Sequence, residues 1–328
     1  MKMFRLLAWL LAWIVAVLCS AWAFGAIYYD FPAVRQMAAG IFVLILLVAV
    51  IFVRGKLLKL AAVFAAFALV LLWWFTLKPG NDGPWPPDVA ETAWAEINGD
   101  EVTINSVRNC DYRTETDFTT HCEKRTVRLS QIAGLDIAIM YWGSPYMAHP
   151  IASFRFADAL PICFSIETRK RIGQEYSALR GLYRQYTLIY IVADERDSIR
   201  VRTNYRHGED VYLYHIVASP AETRERFLEY LNALNTLHTH PLWYNAITTN
   251  CTTNIRTQRP ILKRIPWDWR ILVNGKADEL LYERHLIATG GLPFAELKQR
   301  SHINERARAA DQDPDFSRAI REDLPQGK

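Results

Sequence analysis

Thr248-Thr-Asn-Cys-Thr-Thr-Asn254 sets one cysteine among small hydroxyl and amide side chains. Threonine and asparagine cap helices well and suit helix interiors poorly. Thr248–Asn250 therefore reads as a cap, and Cys251 as a first-turn residue of a helix that runs toward Gln258 and stops before Pro260. At such a place the unpaired N–H groups and the helix dipole favour a thiolate and make the sulfur a better nucleophile. The same N–H groups can hold an oxyanion, with the Asn250 side chain as a second donor. The bland alternative is a small buried cysteine at a helix start.

A thiol nucleophile needs a base, and a hairpin offers one. His149–Phe156 and Pro161–Thr168 read as two strands about a tight connection at Ala157–Leu160. A turn centred between Asp158 and Ala159 makes paired residue numbers sum to about 317, so that His149 faces Thr168, with Glu167 and Ser165 as near neighbours. Successive side chains point to opposite faces, so a one-residue slip decides whether Glu167 touches the imidazole. Glu167 is the candidate to orient His149, with Ser165 and Thr168 behind it. A lone strand histidine is more often structural, and His215, on another expected strand, is the comparison.

The rest of the chain must position these groups. It has 328 residues, 51% of them hydrophobic, enough for one large or two small domains. The hydrophobicity is uneven. Leu6–Tyr29, Gln36–Val53 and Leu60–Leu77 carry no charge, and each is about long enough to cross a bilayer as a helix. Lys2 and Arg5 precede the first run, and Arg54, Lys56 and Lys59 fill the gap between the second and third. The positive-inside rule puts both basic groups in the cytoplasm and sends the chain beyond Lys78 to the outer side. Two other readings stay open: Ala21-Trp-Ala23 as a signal-peptidase site, or residues 36–77 as a single hairpin behind a peripheral first helix. Residues 1–78 hold seven Lys or Arg and one Asp, a net of +6 against +4 for the whole chain, which leaves −2 for the remainder. The basic balance follows membrane topology and gives no support to nucleic-acid binding.

The expected organisation is a membrane anchor at 1–78, a Pro/Gly-rich linker at 79–99 and a catalytic domain at 100–328. Strands are expected at Val102–Asn109, Thr126–Leu129, Leu135–Met140, Tyr186–Ala193, Ile199–Thr203 and Val211–Val217. Helices are expected from Pro220 to Leu237 and around Lys276–His285, and Asp194–Asp197 reads as a solvated charged corner. Cys110 and Cys122 flank Asp111–His121 and are expected as a disulfide in an oxidising compartment, two unlinked thiols being the alternative. No phosphate loop, Gly-x-Ser-x-Gly, Cys-x-x-Cys or His-Glu-x-x-His occurs. His238 and His240 lack nearby Cys or carboxylate partners, so no metal and no cofactor is expected.

Several motifs in order, His149–Phe156, Ser165–Arg169, Glu175–Gly181, Tyr190–Asp197, Arg202–Arg206, Asp210–Tyr214 and Tyr244–Asn254, resemble the Lnb-type periplasmic domain family. The resemblance covers roughly residues 100–325. That family includes a bacterial lipoprotein N-acyltransferase. It is more remotely similar to permuted papain-like proteins, the lecithin–retinol acyltransferases and NlpC-type peptidases, in which a strand histidine precedes an Asn-Cys at a helix start. The resemblance implies an α+β domain with an antiparallel sheet in the periplasm, tethered to the bacterial inner membrane. It also implies a Cys251–His149 dyad with Glu167 and Asn250 in support. The implied partners are the lipid bilayer and a lipid or lipoprotein substrate. Peptidoglycan amide hydrolysis by the same dyad, and a non-catalytic envelope scaffold, are the alternatives.

The orientation has a direct check. A reporter active only outside the cytoplasm should work when fused after Gly83 and fail when fused after Lys56; the reverse pattern would invert the assignment.

Overall fold

The computed structural model describes residues 2–327 and divides them into two compact units. The first runs to Gly80 and includes Tyr176–Gln185; the second is Asn81–Glu175 with Tyr186 onward.

In the first unit, α1 (Lys2–Asp30), α2 (Arg35–Phe52) and α3 (Lys56–Thr76) are each long and apolar enough to cross a membrane. The reversal between α2 and α3 falls on Gly55, whose φ of +92° only glycine adopts readily. Trp22 packs edge-on against Phe67 and Trp74, with ring centroids 5.9 and 4.9 Å away. Tyr176–Gln185, expected in the domain beyond the linker, joins this unit. It contains the short α4 (Ala178–Gly181). The Tyr183 ring lies where a side chain on Gly25 would stand, and Arg184 stacks 3.5 Å from the Trp74 ring.

The second unit is mixed α+β, as expected. Its main sheet contains β1 (Trp94–Asn98), β2 (Glu101–Arg108), β5 (Cys122–Arg128), β6 (Ile132–Trp142), β7 (Ala148–Phe156), β8 (Ile162–Arg169), β9 (Thr187–Ala193) and β10 (Glu209–His215). The spatial order is β1-β2-β9-β8-β7-β6-β10, with β5 also paired to β2. A separate ribbon joins β3 (Asp111–Tyr112) to β4 (Phe118–Thr119). All pairings are antiparallel except the short β2–β9 bridge. Residues 94–98, read as linker, are thus an edge strand. Arg169 pins the chain before it, donating to the Val89 and Ala90 carbonyls and stacking 4.2 Å from Trp85.

Helix α6 (Pro220–Thr239) follows its sequence signals: Ser219 and Glu222 form a capping box, and Pro220 stands in the first turn. It buries Phe227 and Tyr230 against the β7–β8 hairpin. Phe154 meets Phe227 at 5.0 Å and Phe164 at 5.7 Å, both edge-to-face. Such pairs add about 0.5–1.5 kcal/mol each beyond area burial, which fixes the hairpin that carries His149.

Two expectations fail in the same region. Ile199–Thr203 is not a strand. Asp194 caps α5 (Glu195–Ser198), and a π-helical turn at Val201–Tyr205 follows, with the Thr203 hydroxyl bonded back to Ile199 O. Local side-chain-to-backbone bonds of this kind compete with strand pairing. Nor is Asp194–Asp197 a solvated corner: Asp194, Glu195 and Asp197 are buried. Asp197 takes a bidentate hold from Arg108, 2.6 Å at the shorter contact, and a 2.8 Å hydrogen bond from Cys110 N.

That bond also explains why the expected disulfide is absent. The β2–β5 register places Cys122 opposite Arg108, and Asn109 N bonds His121 O, so Cys110 continues two residues past its intended partner. Both cysteines are free thiols, and burial with Asp197 nearby pushes the Cys110 thiol up to about 12.

Removing one partner of a buried ion pair costs about 3–5 kcal/mol. Asp197→Ala should therefore lower the Tm of the second unit by roughly 6–20 °C, measured by differential scanning fluorimetry of the full chain. A shift under about 2 °C would mean that Arg108 and the Cys110 amide find other acceptors.

Candidate active site

Helix α7 (Cys251–Thr257) begins at the cysteine. Asn250 is its cap: Oδ1 accepts from Thr253 N at 2.9 Å, Asn250 N donates to Thr253 Oγ1 at 2.9 Å, and Nδ2 donates to Ala246 O at 2.9 Å. The side chain expected to assist an oxyanion is therefore committed to holding the helix start. This rigid cap sets Cys251 at the first helical position, where its N–H has no intrahelical acceptor. The residue is 9% exposed.

The hairpin brings the base. The β7–β8 register pairs Ile151 with Ser165 and Ala152 with Phe164, a sum of 316, one less than the expected value. Continued two residues along, it sets His149 opposite Glu167, with Thr168 on the other face. His149 Nε2 lies 3.1 Å from Glu167 Oε1 and 2.7 Å from Ser165 Oγ. The Ser165 hydroxyl donates to Glu167 Oε1 at 2.6 Å, so its oxygen is left to accept from the imidazole. Cys251 is near enough to the His149 ring to bear on its titration. Of the residues singled out in the sequence, the structure thus brings together Cys251, His149, Glu167 and Ser165. It leaves Thr168 aside and gives Asn250 a capping place.

Two further residues complete the constellation. Arg202, on the π-helical turn, donates to Glu167 Oε1 at 2.9 Å and reaches Glu209 at 3.3 Å. Asn274 donates from Nδ2 to Cys251 Sγ at 3.5 Å while Oδ1 accepts from Ala148 N at 2.9 Å. Asn274 can come this close because Gly275 packs on the backbone of Pro145 and Tyr146, where a Cβ would collide. Arg202 lies within a family-like motif but carried no assigned role. Asn274 belongs to no motif; the Asn-Gly pair that it forms with Gly275, an ordinary turn signal, is its only mark in the sequence.

The electrostatics follow from this geometry. Burial alone would pull the His149 imidazolium down, but the Glu167 carboxylate outweighs it, and the group rises to about 9 from its usual 6.5. Desolvation pushes the Glu167 carboxyl up, and His149 and Arg202 together draw it well below the usual carboxylate range. At neutral pH the pair is imidazolium and carboxylate. The Asn274 amide donates to the sulfur, and the charged imidazole near it favours a thiolate. Among the described residues no group of three or more His, Cys, Asp or Glu could hold a metal.

The wiring makes Glu167 the cause of the raised imidazole. Glu167→Gln should pull the His149 titration down from about 9, because burial and Arg202 then act without the opposing carboxylate charge. Histidine C2-hydrogen exchange, followed by mass spectrometry on the full chain, reads this directly. A midpoint that stays near 9 would show that another group holds the proton.

Against known proteins, no curated protein and no solved structure matches the chain. Residues 118–275 match the family described as the Lnb N-terminal periplasmic domain. That stretch, which contains His149, Ser165, Glu167, Arg202, Cys251 and Asn274, is an Lnb N-terminal periplasmic domain.

Proposed function

We propose that this protein is a membrane-anchored periplasmic thiol acyltransferase with Cys251 as nucleophile, and that its second unit is a permuted papain-like domain. What supports the reading is the Glu167–His149 ion pair near Cys251, whose sulfur accepts from Asn274. The chain order, a strand histidine followed by an Asn-Cys at a helix start on an antiparallel sheet, supports the fold.

In the proposed reaction the Cys251 thiolate attacks the ester carbonyl of a membrane lipid, with His149 protonated. The Cys251 N–H and the Asn274 amide stabilise the tetrahedral oxyanion. Collapse breaks the C–O bond, and the alkoxide leaves as an alcohol with the proton from His149. The acyl group is then a thioester on Cys251. An amine, such as a lipoprotein N-terminus, attacks this carbonyl, gives its proton to neutral His149 and leaves as an amide, returning the thiolate. Glu167, fixed by Ser165 and Arg202, orients the imidazole through both steps. The three apolar helices favour a membrane lipid as donor.

The test is mass spectrometry of the protein purified from its own membranes. A fatty acyl adduct on Cys251 is expected, absent from Cys251→Ala. Asn274→Ala should slow thioester formation by about 10²–10³-fold, as loss of an oxyanion donor does elsewhere. His149→Ala should slow it further. An unacylated Cys251 that is inert to lipid, together with cleavage of peptidoglycan fragments, would replace this reading with amide hydrolysis.

A further inference from the structure

Residues 258–273 connect α7 to Asn274 and contain only two short 3₁₀ turns, Ile261–Lys263 and Trp269–Ile271. The path is nonetheless fixed. Arg256 Nε donates to Ile265 O at 2.8 Å, and Arg264 donates to Arg259 O and Thr257 O at 2.9 and 2.8 Å. Thr252 Oγ1 closes the far end on Ile271 O at 2.6 Å.

This held loop turns its largest apolar side chains outward. Leu262 is 99% exposed, Ile261 77%, Trp267 58% and Trp269 57%. A single exposed leucine means little. Four large apolar residues within nine positions, on a loop whose carbonyls are tied inward, form a surface that water does not favour. Removing such side chains from water is favourable. Basic residues are interleaved with them. Residues 256–272 contain Arg256, Arg259, Lys263, Arg264 and Arg270 against Asp268 alone, a net of +4. Glu225, Glu229 and Glu283 pair with Lys263, Arg259 and Arg270, while Arg256 and Arg264 hold carbonyls and keep their charge for other partners.

We propose that Pro260–Leu272 is a membrane-docking loop that inserts Ile261, Leu262, Trp267 and Trp269 into the interfacial layer of an anionic bilayer. Tryptophan and aliphatic tips flanked by Arg and Lys are what that layer accepts. The occupant is set by the chain itself. Three helices long enough to cross a membrane stand upstream, so a tethered bilayer is present at high effective concentration, and weak docking suffices. The loop leaves the helix that begins at Cys251 and ends at the asparagine that bonds its sulfur. Seating it brings acyl chains to the thiol. The docking is a surface property and does not depend on the chemistry proposed above.

The experiment uses the full chain carrying Cys251→Ala, so that acyl transfer contributes nothing to the signal. It is reconstituted in phosphatidylethanolamine–phosphatidylglycerol liposomes with a trace of phosphatidylglycerol bearing a diazirine in its acyl chain. After photolysis, peptide mass spectrometry should find lipid adducts on Ile261–Trp269 as well as on α1–α3, the internal positive control. Changing Ile261, Leu262, Trp267 and Trp269 together to Ser should cut the loop adducts about tenfold or more and leave those on the helices unchanged. Because these side chains face solvent, the fold tolerates the change, and unaltered thermal unfolding verifies it. Labelled helices with an unlabelled loop would overturn the proposal and leave the patch to a protein partner. Loop labelling that survives the serine changes, or that is equal when phosphatidylcholine replaces both lipids, would also overturn it.

Discussion

Everything in the candidate site depends on a carboxylate kept charged beside an imidazole from which most water has been removed. Desolvation opposes both charges, and only their mutual attraction at 3.1 Å, with hydrogen bonds from Ser165 and Arg202, keeps them ionised. The pairing imposes a demand on the sheet. His149 and Glu167 must lie opposite each other across β7 and β8, and a slip of one residue would turn Glu167 to the other face. The aromatic packing of Phe154, Phe164 and Phe227 behind the hairpin supplies the register that the charge pair needs.

The protein contains a second histidine–carboxylate pair, whose surroundings differ from those of the first. His215 Nδ1 meets Asp136 Oδ1 at 2.6 Å, much as His149 meets Glu167. There the resemblance stops. Asp136 is fully buried and also held by Arg321 at 2.8 Å, and His215 Nε2 lies 3.0 Å from the Gln326 amide. Arg321 also grips Glu195, so this cluster fastens the C-terminal segment to the sheet. Both ring nitrogens of His215 end on stabilising partners, whereas the contacts of His149 to Ser165 and Glu167 both fall on Nε2.

Signals that act within one element were legible in the sequence. The Asn-Cys helix start, the α6 capping box and the three apolar helices all rest on local backbone chemistry. The His149 hairpin was placed to within one residue because a short turn constrains both strands. Contacts between distant segments were not legible. Asn274 reaches Cys251 only because Gly275 nests against Pro145 and Tyr146, more than a hundred residues earlier. Cys110 and Cys122 looked bridgeable from their spacing, yet register and Asp197 draw them apart. Ile199–Thr203 read as a strand, but capping by Asp194 and hydroxyl back-bonding turned it into the helical segment that delivers Arg202 to Glu167.

The raised imidazole suits the two halves of the proposed reaction differently. In the first half a charged ring beside the sulfur favours the thiolate, and the Glu167 carboxylate holds that charge against burial. Once an acyl group caps the sulfur, the Cys251 contribution to the imidazole is lost, while the carboxylate stays at 3.1 Å. The proposed second half needs the same ring neutral, so that it can take a proton from the acceptor. A carboxylate that favours the charged ring opposes that step for an amine and for water alike. The pairing of Glu167 with His149 thus serves thioester formation in the proposed cycle and places the demand for tuning on the second half.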